Sequence, residues 1–528
     1  MTVPSGAPGA SVTSGSVERL AAATLLASFD GPVVPRWLRR WVDEGLGGVC
    51  LFGSNLAGGA SGATATADVA RVLHDQRPDL LVAIDEEGGD VTRVEARTGS
   101  SVPGSAALGA VDDPELTRSV HAGLGRLLAG LGVDLDLAPC ADVNVDVANP
   151  VIGVRSFGAD PALVARHVAA AVEGLQGAGV AACAKHFPGH GATRVDSHRA
   201  LPVVDAPADV LRARELAPFR AAIGAGVRAI MTAHLVVPAL DDRPATISRA
   251  VLSDVLRGEL GFTGAVVTDA LDMHGIGGPD AIPANVVRAL AAGADLCCLG
   301  SGATDALVDE CVEAVVAAVR TGALDEARLA DAAARVGRIA VPAGEPAPWP
   351  AALDDLAELG AAAARRALRV EGDLPGAGGL RGAHVVELRR PVNIAAGVVP
   401  SRLGGPLQAL DPAVTTAEVA PGPDGPVADL DVALAPAAGR PLVVVVRDLP
   451  TVPGGRALLD ALLGARPDAV VVDLGWPAGD GGDRGGTGDG RTGPGGPGGR
   501  AWVTAFGASR AGIAAVAELL TSGGTAGG

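Results

Sequence analysis

Tyrosine does not occur in this 528-residue chain, and lysine occurs once, at Lys185, among 42 basic residues. Aromatic residues make up 2% of the chain, which excludes extended stacking platforms for long polysaccharides. No run approaches the roughly 18 consecutive apolar residues that span a bilayer, so no membrane partner is expected. Positive charge is short as well: the net charge of −18 opposes binding to nucleic acid or to acidic membranes. The N-terminal stretch has no basic region ahead of its short apolar run and does not read as a signal peptide. Six cysteines (Cys50, Cys140, Cys183, Cys297, Cys298, Cys311) show no CxxC pair or metal-ligand spacing. They are expected to be buried free thiols of a cytoplasmic protein.

What is abundant explains the isolation of Lys185. Ala, Gly, Pro, Arg and Val dominate, a drift toward residues encoded by G and C, under which lysine gives way to arginine wherever arginine serves. An ammonium is a compact point charge and a guanidinium a broad fork, so a surviving lysine marks a place where space is tight.

The length predicts two domains. Eight short apolar runs end in polar residues: TLLASFDG at 24, GVCLFGSN at 48, LLVAIDEE at 80, DLDLAPCAD at 134, AACAKHF at 181, AIMTAHLV at 229, AVVTDAL at 265 and ADLCCLG at 294. Helix-periodic stretches such as PALVARHVAAAVEGLQGAG separate most of them. This pattern predicts an α/β chain whose residues 1–345 form a (β/α)8 barrel. Residues 341–352 are Pro-rich and read as a linker, with a connecting helix near 353–369. Residues 370–528 read as a smaller α/β sandwich domain with strands AHVVEL, LVVVVRD, AVVVDLG and AWVTAFG and a final helix. The Gly-rich run 478–500 is expected to be a mobile loop.

Several runs end in residues that can do chemistry: Asp85 and Glu86, Lys185 and His186, His234, Asp269. In barrels of this kind the C-terminal strand ends carry the active site. Asp269 closes the strand AVVT, where a carboxylate can act as a nucleophile; the alternative is a helix N-cap for a helix starting at Ala270. Asp196 and His198 stand two apart, so in an extended segment they face the same way and can pair. Such a bond favours the imidazolium and suits His198 to give up a proton near neutral pH. His186, His190 and His198 can also be read as metal ligands, although not with helical spacing.

The segment KHFPGHG at 185–191, followed after four residues by Asp-Ser-His, resembles the signature of the bacterial β-N-acetylhexosaminidases of glycoside hydrolase family three. FGSN at 52–55, IDEEGG at 84–89, IGVRSFG at 152–158 and VVTDALDM at 266–273 extend the resemblance across the barrel. It implies a retaining exo-β-N-acetylglucosaminidase acting on small glycosides or muropeptides, with no cofactor and no metal. Asp269 would be the nucleophile and His198 the acid/base, assisted by Asp196. Asp85, Arg93, Arg155, Lys185 and His186 would hold hydroxyls of the terminal sugar. Arg93 and Arg155 otherwise read as structural ion pairs. His190 is expected to brace the loop, His234 and His274 to line the pocket, and His198 to be delivered by loop closure.

One position departs from the family: Asp90 follows the paired glycines where a basic residue is common, and its charge at the rim argues against an acidic leaving group. Three rival readings stand: a phosphorylase using phosphate as acceptor, a β-glucosidase-type relative whose acid comes from the second domain, and an inactive sugar-binding barrel.

Overall fold

The computed structural model describes residues 14–57, 61–341, 346–389, 395–397, 402–421, 430–477 and 499–522. The expected mobile loop at 478–500 lies outside them except for its last two residues. Eight parallel strands form the first sheet, each from one of the predicted runs: β1 (Leu25–Ala27), β2 (Gly48–Leu51), β3 (Leu81–Ile84), β4 (Leu135–Asp136), β5 (Ala181–Phe187), β6 (Ala229–Thr232), β7 (Ala265–Val267) and β8 (Cys297–Cys298). They neighbour one another in chain order from β1 to β7, β8 returns to pair with β1, and a parallel bridge between Val267 and Leu296 completes the ring.

Alternation along the strands divides the barrel's core in two. Leu26, Cys50, Leu81, Ala83, Ala181, Cys183, Met231, Val267 and Cys298 fill the interior. Their neighbours Leu25, Val49, Val82, Ile84, Ala182, Ala184 and Val266 face the surrounding helices. The period of two then decides the chemistry. Leu81 and Ala83 point inward, so Asp85 continues that row at the mouth; Cys183 leads to Lys185, and Val267 to Asp269. All six cysteines are free and buried.

The second domain is a six-stranded sheet. Its strands are β9 (Arg369–Gly372), β10 (His384–Leu388), β11 (Thr415–Val419), β12 (Leu442–Val446), β13 (Val470–Asp473) and β14 (Ala501–Thr504), ordered β9-β14-β13-β12-β10-β11. All pairings are parallel except that of β9. Val444, Val446 and Val471 pack under the helix Gly455–Ala465, while Val443, Val445 and Val472 pack under Arg510–Ser522. Burial on both faces explains the continuous LVVVV run.

The connecting helix begins earlier than predicted, at Trp349, inside the Pro-rich stretch read as linker, and runs to Ala367. Pro348 and Pro350 do not prevent this, because a proline in the first turn forfeits an N–H that has no helical partner. Leu356 and Ala363 belong to the barrel's core and Ala364 to that of the second domain, so the helix joins two cores rather than spacing them. Burial of Leu356 alone contributes about 2 kcal/mol. Among the described residues no helix is long and apolar enough to cross a membrane.

Candidate active site

A cavity of about 340 Å3 opens at the C-terminal ends of the barrel strands and is lined by Asp85, Arg93, Arg155, Lys185, His186, His198 and Asp269. Of the eight residues singled out from the sequence, seven line it, and the eighth, Asp196, holds His198 from behind.

Lys185 sits between two carboxylates, its Nζ 2.7 Å from Asp85 Oδ1 and 2.7 Å from Glu87 Oε1. Burial alone would lower its pKa, but the two carboxylates outweigh burial and hold it above the usual lysine range. Two of its three protons are committed, which leaves one for a ligand. Glu87 also takes a two-pronged contact from Arg155, Nε to Oε2 at 2.9 Å and Nη2 to Oε1 at 2.7 Å. Arg93 Nη2 lies 3.6 Å from Asp85 Oδ2 and donates to Ala395 O at 3.1 Å. The arginines are therefore ion-paired and also line the cavity. Although burial pushes the Asp85 and Glu87 carboxyls up, their cationic neighbours outweigh it and both stay below the ordinary range.

The ladder between β5 and β6 shifts register between Ala184 and Phe187, and consecutive Lys185 and His186 both reach the cavity. His186 donates from Nδ1 to Asp142 Oδ2 at 2.7 Å, which turns Nε2 toward the cavity, 3.4 Å from Arg155 Nη2. Asp142 also accepts the His190 N–H at 2.6 Å and the Cys140 thiol at 3.2 Å. Burial would raise its pKa, and His186 outweighs burial to depress it.

The loop that carries His198 is docked on the barrel. His198 Nδ1 donates to Asp196 Oδ1 at 2.7 Å, and the His198 N–H reaches the same oxygen at 3.0 Å. Backbone N–H groups of Arg199 and Ala200 close on Asp196 O, so the pair is made by a turn and not by the extended segment expected from the sequence. Burial works to raise the Asp196 carboxyl, but the His198 contacts prevail and lower it. His190 ties the loop down, with Nε2 3.0 Å from Ser197 Oγ and Nδ1 2.8 Å from Thr193 Oγ1. Its burial lowers its pKa to about 4, so it serves as a neutral brace at pH 7. Gly275 N–H to Ser197 O at 3.0 Å fixes the other side. Gly191 lets the chain approach β4's loop, since a Cβ there would lie 2.0 Å from Val143 O.

Asp269 is followed by a turn and then the 3-10 helix His274–Ile276, so it does not cap a helix starting at Ala270. Burial tends to raise its carboxyl, but His186, His234 and His198 together hold it below the ordinary aspartate range. It is therefore an anion at neutral pH, as a nucleophilic displacement at an acetal carbon requires, and it shares the cavity with His198.

Two expectations are corrected. His234 is buried, where its Nε2 donates to Ala270 O at 2.9 Å, and His274 is exposed; neither lines the cavity. Asp90 does not project charge from the rim. It is buried, ion-paired with Arg447 of the second domain, and accepts the Ala508 N–H at 2.8 Å, so its argument against an acidic leaving group lapses. The histidines 186, 190 and 198 bring their ring nitrogens to no common point; among the described residues the one grouping of three potential ligands is Cys140, Asp142 and His186, which hydrogen bonding already accounts for.

Sequence reasoning missed Glu87, Asp142 and Asp272. Glu87 had a signal, being two residues beyond Asp85. Asp142 had none, because its role depends on a strand-end loop meeting β5. Asp272 lines the cavity, accepts the Ser301 N–H at 3.0 Å and is raised by burial.

Residues 36–339 match the glycosyl hydrolase family 3 N-terminal domain. The β-hexosaminidase A of Pseudoalteromonas piscicida is 40% identical over 250 residues, 44% of this chain and 42% of that protein, so the chain spans less than half of that relative's length. The β-hexosaminidase of Neisseria meningitidis serogroup C (strain 053442) is 36% identical over 267 residues, 49% of this chain and 72% of that one. In three dimensions the chain is similar to a family 3 β-N-acetylglucosaminidase from Paenibacillus sp. str. FPU-7, with a TM-score of 0.81 at 31% identity over 96% of each chain. A barrel with an anionic aspartate facing an imidazole, and a sequence that matches over more than half its length, make this chain a member of glycoside hydrolase family 3.

Proposed function

We propose that the chain is a retaining exo-β-N-acetylglucosaminidase that releases terminal N-acetylglucosamine from small β-glycosides or muropeptides. The observation that carries this reading is a single cavity lined by both Asp269 and His198, with His198 oriented by Asp196. Asp269 attacks the anomeric carbon while His198 Nε2 protonates the glycosidic oxygen, so the leaving group departs as an alcohol and a glycosyl-Asp269 ester remains. The neutral His198 then takes a proton from water as the water oxygen displaces Asp269. Asp196 stabilises the imidazolium that exists before the first step and after the second. Lys185, His186, Asp85, Arg93 and Arg155 converge where the sugar's hydroxyls would lie. The names of the β-hexosaminidase relatives and of the Paenibacillus enzyme support the choice of sugar.

Charge favours water over phosphate as the acceptor. Among the described residues, the Lys and Arg side chains lining the cavity are all paired, Lys185 and Arg93 on Asp85, and Lys185 and Arg155 on Glu87. Asp269 and Asp272 add further negative charge, which a phosphate dianion would have to approach. The β-glucosidase-type alternative is disfavoured because, among the described residues, the second domain's contribution to the lining is Ala395, whose side chain has no proton to give.

The test is product analysis with 4-nitrophenyl β-N-acetylglucosaminide, with and without phosphate. Free N-acetylglucosamine at a phosphate-independent rate is expected. The 1-phosphate with phosphate-dependent turnover would replace hydrolase by phosphorylase, and no turnover would revive the inactive barrel.

A further inference from the structure

A cavity of about 380 Å3 opens at the other end of the barrel. Arg228 and Gly264 line it and directly precede β6 and β7, so it lies at the N-terminal ends of the strands, opposite the catalytic mouth. It shares no lining residue with the catalytic cavity. The volume falls within the range of small-molecule sites.

Its charge is the reverse of the chain's. Arg228, Arg335 and Arg338 stand among the described residues that line it and no carboxylate does, in a sequence with 60 acidic residues against 42 basic ones. Arg335 is engaged, its Nε donating to Asp331 Oδ2 at 2.9 Å and its Nη1 to Thr263 O. The side chains of Arg228 and Arg338 have no acceptor among the described residues. A plainer reason for arginines at this end of a barrel is that helices finish there and a cation complements their carbonyl ends. That reason accounts for Arg335, in the last turn of the helix Glu326–Val336, but not for the other two. Arg335 O already accepts the Arg338 N–H at 3.0 Å and Val336 O the Ile339 N–H at 3.1 Å, and Arg228 belongs to the turn that enters β6.

The walls are fixed before any ligand arrives. Gln176 accepts the Arg228 N–H on Oε1 at 2.9 Å and donates from Nε2 to Gly226 O at 3.0 Å, which ties the turn into β6 to the end of the helix Pro161–Gly177. Arg257 Nη1 donates to Phe262 O at 3.0 Å and to Gly264 O at 2.6 Å, which holds the turn into β7. A preformed site loses little affinity to ordering. Guanidinium forks match the oxygens of a phosphate, and two uncommitted forks from separate segments can grip one dianion from two directions. The rest of the cavity, bordered by Ile223, Val227, Phe262 and Thr263, leaves room for an organic group.

We infer that this cavity is a binding site for the phosphomonoester of a small molecule, with Arg228 and Arg338 holding the phosphate group. The site is separate from the catalytic cavity, and the inference does not depend on which sugar that cavity takes.

The experiment is isothermal titration calorimetry of the full chain with glucose 6-phosphate and with inorganic phosphate, at low ionic strength and a pH where both are dianions. Saturable binding of glucose 6-phosphate with a Kd below about 1 mM is expected. Arg228→Ala and Arg338→Ala should each weaken it by about tenfold or more, while circular dichroism shows both variants folded. Arg338 is exposed and unpartnered among the described residues, so its removal tests the site even if Arg228→Ala disturbs the turn into β6. Tighter binding of glucose 6-phosphate than of inorganic phosphate would support an organic group in the cavity; equal affinities would overturn the phosphomonoester and leave free phosphate as the occupant. No saturable binding of either probe, or binding that folded variants leave unchanged, would overturn the site.

Discussion

Asp90 of the barrel and Arg447 of the second domain, 357 positions apart in sequence, form a buried ion pair across the seam between the domains. Both residues also line a cavity between the domains, so domain docking and the shape of that cavity depend on the same contact. Removing one member of a buried pair strands the other charge, which typically costs about 3–5 kcal/mol. Arg447→Ala should therefore lower thermal stability and separate calorimetric unfolding into two transitions. A single transition at the original temperature would show that the pair does not hold the domains together.

On the proposed mechanism, Asp269→Ala removes the nucleophile and should reduce turnover by about 10^4-fold or more. Because the neighbouring histidines hold this carboxyl below its ordinary range, the substitution should also cost some stability at neutral pH, and circular dichroism at the assay temperature checks that the variant stays folded. Retained activity, measured on the nitrophenyl glycoside, would dismiss Asp269 as nucleophile.

Lys185→Arg keeps the charge and should still fail. The ammonium is 3% exposed and 2.7 Å from both Asp85 and Glu87, while Arg155 already occupies the other side of Glu87. A guanidinium cannot enter that space without displacing one of the carboxylates. The expected outcome is a loss in kcat/KM of about tenfold or more, seen mainly in KM; a silent substitution would show that the lone lysine is not sterically required.

Asp142→Asn tests the orientation of His186. The carboxylate fixes the proton on Nδ1 and so leaves Nε2 facing the cavity; an amide that presents its NH2 would favour the opposite tautomer. We expect kcat/KM to fall about 10- to 100-fold, by analogy with the partners that orient metal-bound histidines, and some stability to be lost at neutral pH because the fold holds this carboxyl below its ordinary range. Imidazole nitrogen shifts in NMR spectra that do not move would contradict this role.

Glu215 provides a pH signature. Burial raises its carboxyl from 4.5 to about 7, one oxygen has no partner, and it packs against Gly189, where a Cβ would lie 2.6 Å from Oε2. Because the fold favours the protonated form, the native state binds more protons than the unfolded chain between those values, and stability falls as the pH rises through them. Glu215→Gln should match the parent protein near pH 4.5 and exceed it by about 1–3 kcal/mol at pH 8. Denaturant melts that stay parallel across this range would refute the assignment.

Much of the architecture could be read from local pattern. The eight apolar runs became the eight barrel strands because each is short, apolar and bounded by polar residues, a pattern that needs no distant partner to recognise. Strands β9 and β11 were missed because RVEG and TTAEV are edge strands with little to bury. The helix from Trp349 began inside a Pro-rich stretch because proline's penalty vanishes in a first turn.

The sequence by itself determined the barrel, the inward row that carries Asp85, Lys185 and Asp269 to its mouth, and the Asp-Ser-His segment beside it, since period and spacing are local properties of the chain. Only the tertiary structure decided that Glu87 shares the ammonium with Asp85, that Asp142 orients His186, and that Asp90 is neutralised from the second domain. Each of these depends on which distant charge arrives within about 3 Å, and Coulomb energy and hydrogen-bond geometry are set by that distance rather than by position along the chain.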